Sequence, residues 1–156
     1  MKNIFKYIFI STVIVIFKKT ILSFFSINEI VPDIVTIWLV YVALKEGQMS
    51  STTAGFFSGF LLDLIGGDFI GVSALSKTIC GFVAGYFFDE FKRNEIFKTF
   101  RFTFVIFLSS VVNDIFFFVI YFYRTNVDVT HIFLRYGITT TLYTTAVSLI
   151  PRIWLK

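Results

Sequence analysis

Apolar residues run in long blocks, and single charges rather than alternating polar positions interrupt them. The clearest block is 102–123, FTFVIFLSSVVNDIFFFVIYFY, with 22 residues between Arg101 and Arg124 and one charge, Asp114. Residues 69–88, FIGVSALSKTICGFVAGYFF, form a block of 20 whose one charge is Lys77. Residues 47–67 make a third block, with Asp63 near its end, and 136–151 make a fourth, flanked by Arg135 and Arg152. A membrane-spanning helix takes about 20 apolar residues, and fewer where flanking cations snorkel outward. Each block therefore predicts a spanning helix. The N-terminal part divides into a helix over about 5–26, which holds the Lys18–Lys19 pair, and a short helix over about 32–45. Pro32 suits the first turn of the latter. The pattern predicts an all-α integral membrane protein, with about six transmembrane helices in one bundle and one domain over 1–156. If the first helix is cleaved or interfacial, the count is five. The charged segment 89–99, DEFKRNEIFKT, is expected on the surface.

Composition strengthens the membrane reading. The chain is 56% hydrophobic and 21% aromatic, with a mean hydropathy of +0.83 and only 15% charged residues. Soluble domains carry about 25% charge. A domain of this size leaves roughly a third of its surface exposed, so it could not hide this much apolar area from water. The start, MKNIFKYIFISTVIVIF, has the basic opening and 11-residue apolar core (7–17) of a signal peptide. Lys18 and Lys19 follow it where a small-residue cleavage site would stand, so it is expected to stay as a helix. With six spans, nine basic residues share the side of the termini, among them Lys2, Lys45, Arg101 and Lys156. Four at most (Lys18, Lys19, Arg124 and Arg135) lie opposite. The positive-inside rule then puts both termini in the cytoplasm. The net charge of +4 flanks apolar blocks and does not suggest nucleic acid.

No catalytic set is visible: the sequence has no HExxH, Walker loop, GxSxG or CxxC. Cys80 is the only cysteine and His131 the only histidine, which argues against a disulfide and a metal site. Thr140, Thr144 and Ser148 recur at helical spacing on one face, a pattern suited to hydrogen bonds between helices rather than to a nucleophile. No catalytic residue, metal or cofactor is therefore assigned.

Glycine spacing is more informative. Gly55 and Gly59 form one GxxxG and Gly81 and Gly85 another, in consecutive helices joined by GGDFIG. Missing side chains let helix backbones approach closely, which predicts a tight hairpin. Gly66, Gly67 and Gly71 can take the positive φ of its corner. Asp63 continues the Gly55–Gly59 stripe, and Lys77 continues that of Ser73, Gly81 and Gly85. A buried carboxylate in lipid costs about 2.5–3.5 kcal/mol and should face the bundle interior or water. In a hairpin turning near residue 68, Asp63 and Lys77 reach one seam, so an ion pair between them is one expectation. A proton or cation site at Asp63, or a place at the outer interface, are the others. Asp114 falls mid-helix, where Asn113, Ser110 and Lys18 or Lys19 could cluster with it. SSVVND (109–114) also overlays SGFLLD (58–63), an internal similarity short enough to arise by chance.

Residues 32–87 resemble the rod shape-determining protein MreD family. The resemblance rests on Pro32–Asp33, Ala43 and Gly47, Gly55–Phe56–Gly59–Asp63, Gly71–Ala74–Leu75 and Gly81–Gly85 in that order. It covers about a third of the chain. Lys77 departs from the pattern, standing where an apolar residue is expected, and so does the Lys18–Lys19 pair. The resemblance implies a non-enzymatic, multi-pass protein of the bacterial inner membrane that serves lateral wall elongation. Its implied partners are an MreC-like single-span protein, the elongation glycosyltransferase and transpeptidase and, indirectly, actin-like filaments. It also implies a bundle similar to the substrate-binding subunits of energy-coupling-factor vitamin transporters. Such a subunit is the alternative reading. The absence of any alanine before Ala43 counts against it, because those subunits dock through an alanine stripe on their first helix. A homodimer is left open.

Overall fold

The computed structural model describes residues 4–20, 31–67, 69–91, 100–123 and 137–149. Six helices occur among them: α1 (Ile4–Thr20), α2 (Ile34–Glu46), α3 (Gln48–Gly66), α4 (Val72–Gly85), α5 (Phe100–Tyr123) and α6 (Ile138–Val147). The expectations for residues 21–26, most of the 89–99 segment, His131 and Arg124, Arg135 and Arg152 fall outside the described residues, as does the side chain of Lys19.

The all-helical expectation holds, but one described helix alone meets the length and hydropathy of a span, over Phe100–Ile120 of α5. Two physical causes separate the others from that standard. α2 has 13 residues and α6 has 10, so they rise only about 20 Å and 15 Å at 1.5 Å per residue. α3 has 19 residues, but its glycines, serines, threonines and Asp63 dilute its apolar character.

α3 and α4 form the most extensive pair, with α5 against α4, α1 against α3, and α2 across both members of the pair. α6 packs on α5. Glycine makes the central pair tight. A Cβ added to Gly55 would lie 2.4 Å from the carbonyl oxygen of Lys77, and one on Gly59 would lie 2.4 Å from that of Ser73. Gly81 meets the Ser51 carbonyl at 2.6 Å, and Gly85 meets Cα of Gln48 at 2.4 Å. These distances are shorter than real Cβ contacts, so only hydrogen fits in the seam. The four contacts keep one antiparallel register. At the corner, Gly67 and Gly71 have φ of 70° and 103°, the left-handed region that suits glycine. Gly66 still belongs to α3 and is not among the residues with positive φ.

The side chains are distributed inside out. Serines, threonines, Asp33, Asp63, Lys77 and Asp114 are buried among about as many apolar residues. Phe9, Phe56, Phe60, Leu64, Phe104 and Val119 are exposed. That inversion fits a bundle whose surroundings are hydrocarbon, where apolar surface needs no hiding and polar groups need partners.

Candidate functional site

The buried charges gather at the end of the bundle where α1 and α3 finish and where α2, α4 and α6 begin. Asp63 lies in the last turn of α3 and is 1% exposed. Its Oδ2 accepts the backbone N–H of Gly71 at 2.8 Å and of Ala74 at 3.2 Å, and its Oδ1 accepts that of Ser73 at 3.0 Å. These are amides of the first turn of α4. The first N–H groups of any helix lack intrahelical partners and carry the positive end of its dipole. Gly71 occupies the N-cap position of α4 and has no side chain to offer, so Asp63 caps that helix from the neighbouring one.

The expected Asp63–Lys77 ion pair does not form. The hairpin spends residues 67–71 on its corner, and the glycine register sets Lys77 opposite Gly55, eight residues below Asp63. Eight residues are about 12 Å of helix, too far for the two side chains to meet. Lys77 turns instead to Asp33, whose Oδ2 it contacts directly, and donates to Thr36 Oγ1 at 2.8 Å. Lys18 donates to Asp33 Oδ1 at 2.9 Å. Thr36 Oγ1 donates to Asp33 Oδ2 at 2.6 Å, and the Asp33 backbone N–H donates to Thr144 Oγ1 at 2.9 Å. Asp33 thus joins α1, α2 and α4 through its carboxylate and α6 through its backbone N–H. The sequence marked Asp33 only as part of the Pro32–Asp33 opening of α2. Its central place was missed because its partners lie 15, 44 and 111 residues away. Lys77, where the resemblance led an apolar residue to be expected, is the second lysine of this cluster.

Asp114 forms the third group. Thr141 Oγ1 donates to its Oδ2 at 2.7 Å, linking α5 to α6, and Asn113 Nδ2 donates to its Oδ1 at 3.0 Å. Of the polar cluster expected here, Lys18 and Asn113 do border one cavity with Asp114, but the Lys18 ammonium is bound to Asp33. Ser110 Oγ and Asn113 Oδ1 are buried and have no hydrogen-bond partner among the described residues. The overlaid segments 58–63 and 109–114 do different work. Asp63 caps a helix, whereas Asp114 binds a side chain. Ser58 Oγ donates to the Gly55 carbonyl, whereas Ser109 Oγ is unpartnered among the described residues. Of the threonine face, Thr144 meets Asp33, Thr140 lines a cavity, and Ser148 donates within its own helix to Thr145.

That cavity has a volume of about 280 Å³. Lys18, Asp33 and Lys77 form one side, Asn113, Asp114 and Thr140 come from α5 and α6, and Leu62, Phe117 and Phe118 add apolar surface. Among the described residues no group of three or more His, Cys, Asp and Glu side chains is arranged to hold a metal ion.

A family model described as rod shape-determining protein MreD matches residues 1–153. No curated protein and no solved structure matches the chain, so the expected likeness to energy-coupling-factor subunits gains no support there.

Proposed function

The chain belongs to the rod shape-determining protein MreD family, and from that premise we propose that it is a non-enzymatic scaffold for the enzymes of bacterial wall elongation. Membership itself gives a membrane protein with a role in rod-shape determination. The finer reading is a multi-pass protein of the inner membrane, one domain over its length, with both termini in the cytoplasm. It holds an MreC-like single-span protein together with the elongation glycosyltransferase and transpeptidase, and it meets actin-like filaments indirectly.

The family match along almost the whole chain carries the reading. The geometry supports it in one respect. Gly55, Gly59, Gly81 and Gly85, with Asp63 at their end, are spent on fusing α3 to α4. Asp33, Lys18 and Lys77 tie further helices to that pair. A rigid body of this kind suits a protein whose task is to hold others in register.

The test is affinity purification of the full chain from native membranes in mild detergent, with mass spectrometry of the proteins retained. A single-span coiled-coil protein and wall synthases are expected. A pair of ATPases with a transmembrane coupling subunit would overturn the reading. Asp63→Leu is expected to insert normally yet lose those partners, and normal co-purification would count against a scaffold built on the hairpin. Two differently tagged copies in the same cells decide whether the protein also pairs with itself.

A further inference from the structure

The polar cavity holds a surplus of charged donors. Lys18 and Lys77 share the single carboxylate of Asp33, so that side of the cavity carries one positive charge in excess. An ammonium has three N–H donors. Among the described residues Lys77 uses two, on Asp33 and Thr36, and Lys18 uses one, on Asp33. Three charged donors are left beside about 280 Å³ of space, and the side chain of Lys18 keeps 22% of its surface open. Ser73 and Thr140 add hydroxyls to the lining. This side of the cavity calls for an oxyanion.

The α5 side adds a condition. Asp114 lines the same cavity. It also borders a groove between α5 and α6, but apolar surface alone lines that groove, so the carboxylate does not open there. Thr141 and Asn113 each donate one hydrogen bond to it. A carboxylate accepts about four, so it has room for a further donor. An anion without a proton of its own would meet Asp114 with repulsion. An anion that keeps an O–H satisfies both sides, because its oxygens accept from the lysines while its hydroxyl donates to Asp114. At neutral pH phosphate keeps such a hydroxyl and sulfate does not.

We propose that the cavity binds one phosphate group that retains a P–OH, either as the free ion or as a monoester. Its oxygens lie against Lys18 and Lys77, and its P–OH donates to Asp114. Both kinds of contact are charge-assisted, the stronger class of hydrogen bond. The volume is that of about nine waters at roughly 30 Å³ each, which holds a phosphate group with several waters.

The site goes beyond the scaffold reading and stands or falls apart from it, because its test needs no partner protein. The full chain in detergent, at neutral pH and constant ionic strength, is titrated by calorimetry with sodium phosphate or sodium sulfate. One phosphate per chain is expected, bound about tenfold or more tightly than sulfate, the ratio that one hydrogen bond to a charged group produces. Asp114→Asn is expected to abolish that preference, because its amide can donate to sulfate. Lys18→Met should weaken phosphate binding about tenfold. It leaves the contact between Lys77 and Asp33 in place, and its melting temperature without anion separates lost binding from lost folding. Competition with dihexanoyl phosphatidic acid distinguishes the two sources of the group. Displacement below the concentration at which free phosphate competes supports a lipid head group, and displacement only at or above it supports the free ion. The absence of saturable phosphate binding, sulfate held as tightly as phosphate, an unchanged preference in Asp114→Asn, or unchanged affinity in Lys18→Met would each overturn the proposal.

Discussion

Replacing Asp63 with alanine removes three hydrogen bonds at once, of 2.8, 3.0 and 3.2 Å, from the start of α4. The three amides do not fare alike afterwards. Gly71 stands at the part-buried corner between Ile70 and Val72, where its N–H can turn to water. The N–H groups of Ser73 and Ala74 are buried against α3 and have no such recourse. Each stranded donor costs about 1–3 kcal/mol, so the substitution should destabilise the protein by about 2–6 kcal/mol. That exceeds the roughly 0.5–2 kcal/mol of an ordinary exposed cap, because the cap here is charged and dry. Asp63→Asn keeps one acceptor oxygen but turns an amide N–H₂ toward N–H groups, and should fall between alanine and wild type. The assay is reversible unfolding by sodium dodecyl sulfate in mixed micelles, followed by circular dichroism. A cost below about 1 kcal/mol for alanine would refute the capping argument, since even one stranded donor exceeds it.

Other substitutions have directions set by the same geometry. Asp33→Asn leaves Lys77 and Lys18 facing each other without a counterion and should cost about 3–5 kcal/mol in that unfolding assay. Lys77→Met leaves the Lys18–Asp33 pair intact and should cost less. The double variant should be more stable than Asp33→Asn alone; simple additivity would argue against a shared cluster. Gly59→Ala puts a methyl 2.4 Å from the Ser73 carbonyl oxygen. It should cost about 1–3 kcal/mol through forced separation of the helices, and disulfide cross-linking between cysteines placed across the seam should slow.

The sequence made the hairpin legible because its signals are local. A four-residue glycine spacing needs only the 3.6-residue period of a helix to become a face, and the face of Asp63 follows from the same count. What the spacing does not carry is the length of the corner. With residues 67–71 used there, the register moves by a turn, and a carboxylate and an ammonium that share a seam on paper find different partners. Asp33 was the harder case. Beside Pro32 it looks like a helix opening, and its four-helix role depends on how α1, α4 and α6 dock, which no local pattern encodes. Thr141 was hidden by its own surroundings, one threonine in a run of three with nothing local to single out the one facing Asp114.

On the multi-pass topology proposed above, the buried charges also set an order of assembly during synthesis. Asp63 finds its donors 8 to 11 residues further along the chain, so the α3–α4 hairpin neutralises that charge within itself as it forms. Lys18 and Asp33 are 15 residues apart and can likewise enter the membrane as a neutral pair. Lys77 is different, since its counterion belongs to a hairpin made 44 residues earlier. If α1 and α2 have not yet settled, α4 carries a bare ammonium into hydrocarbon, at about 2.5–3.5 kcal/mol on insertion scales. Insertion of nascent α4 should therefore depend on Asp33, and Lys77→Leu should remove that dependence; equal insertion with and without Asp33 would contradict it. The chain's first two helices serve the later ones as a receiving dock, with Asp33 as the berth where the lysine of α4 is moored.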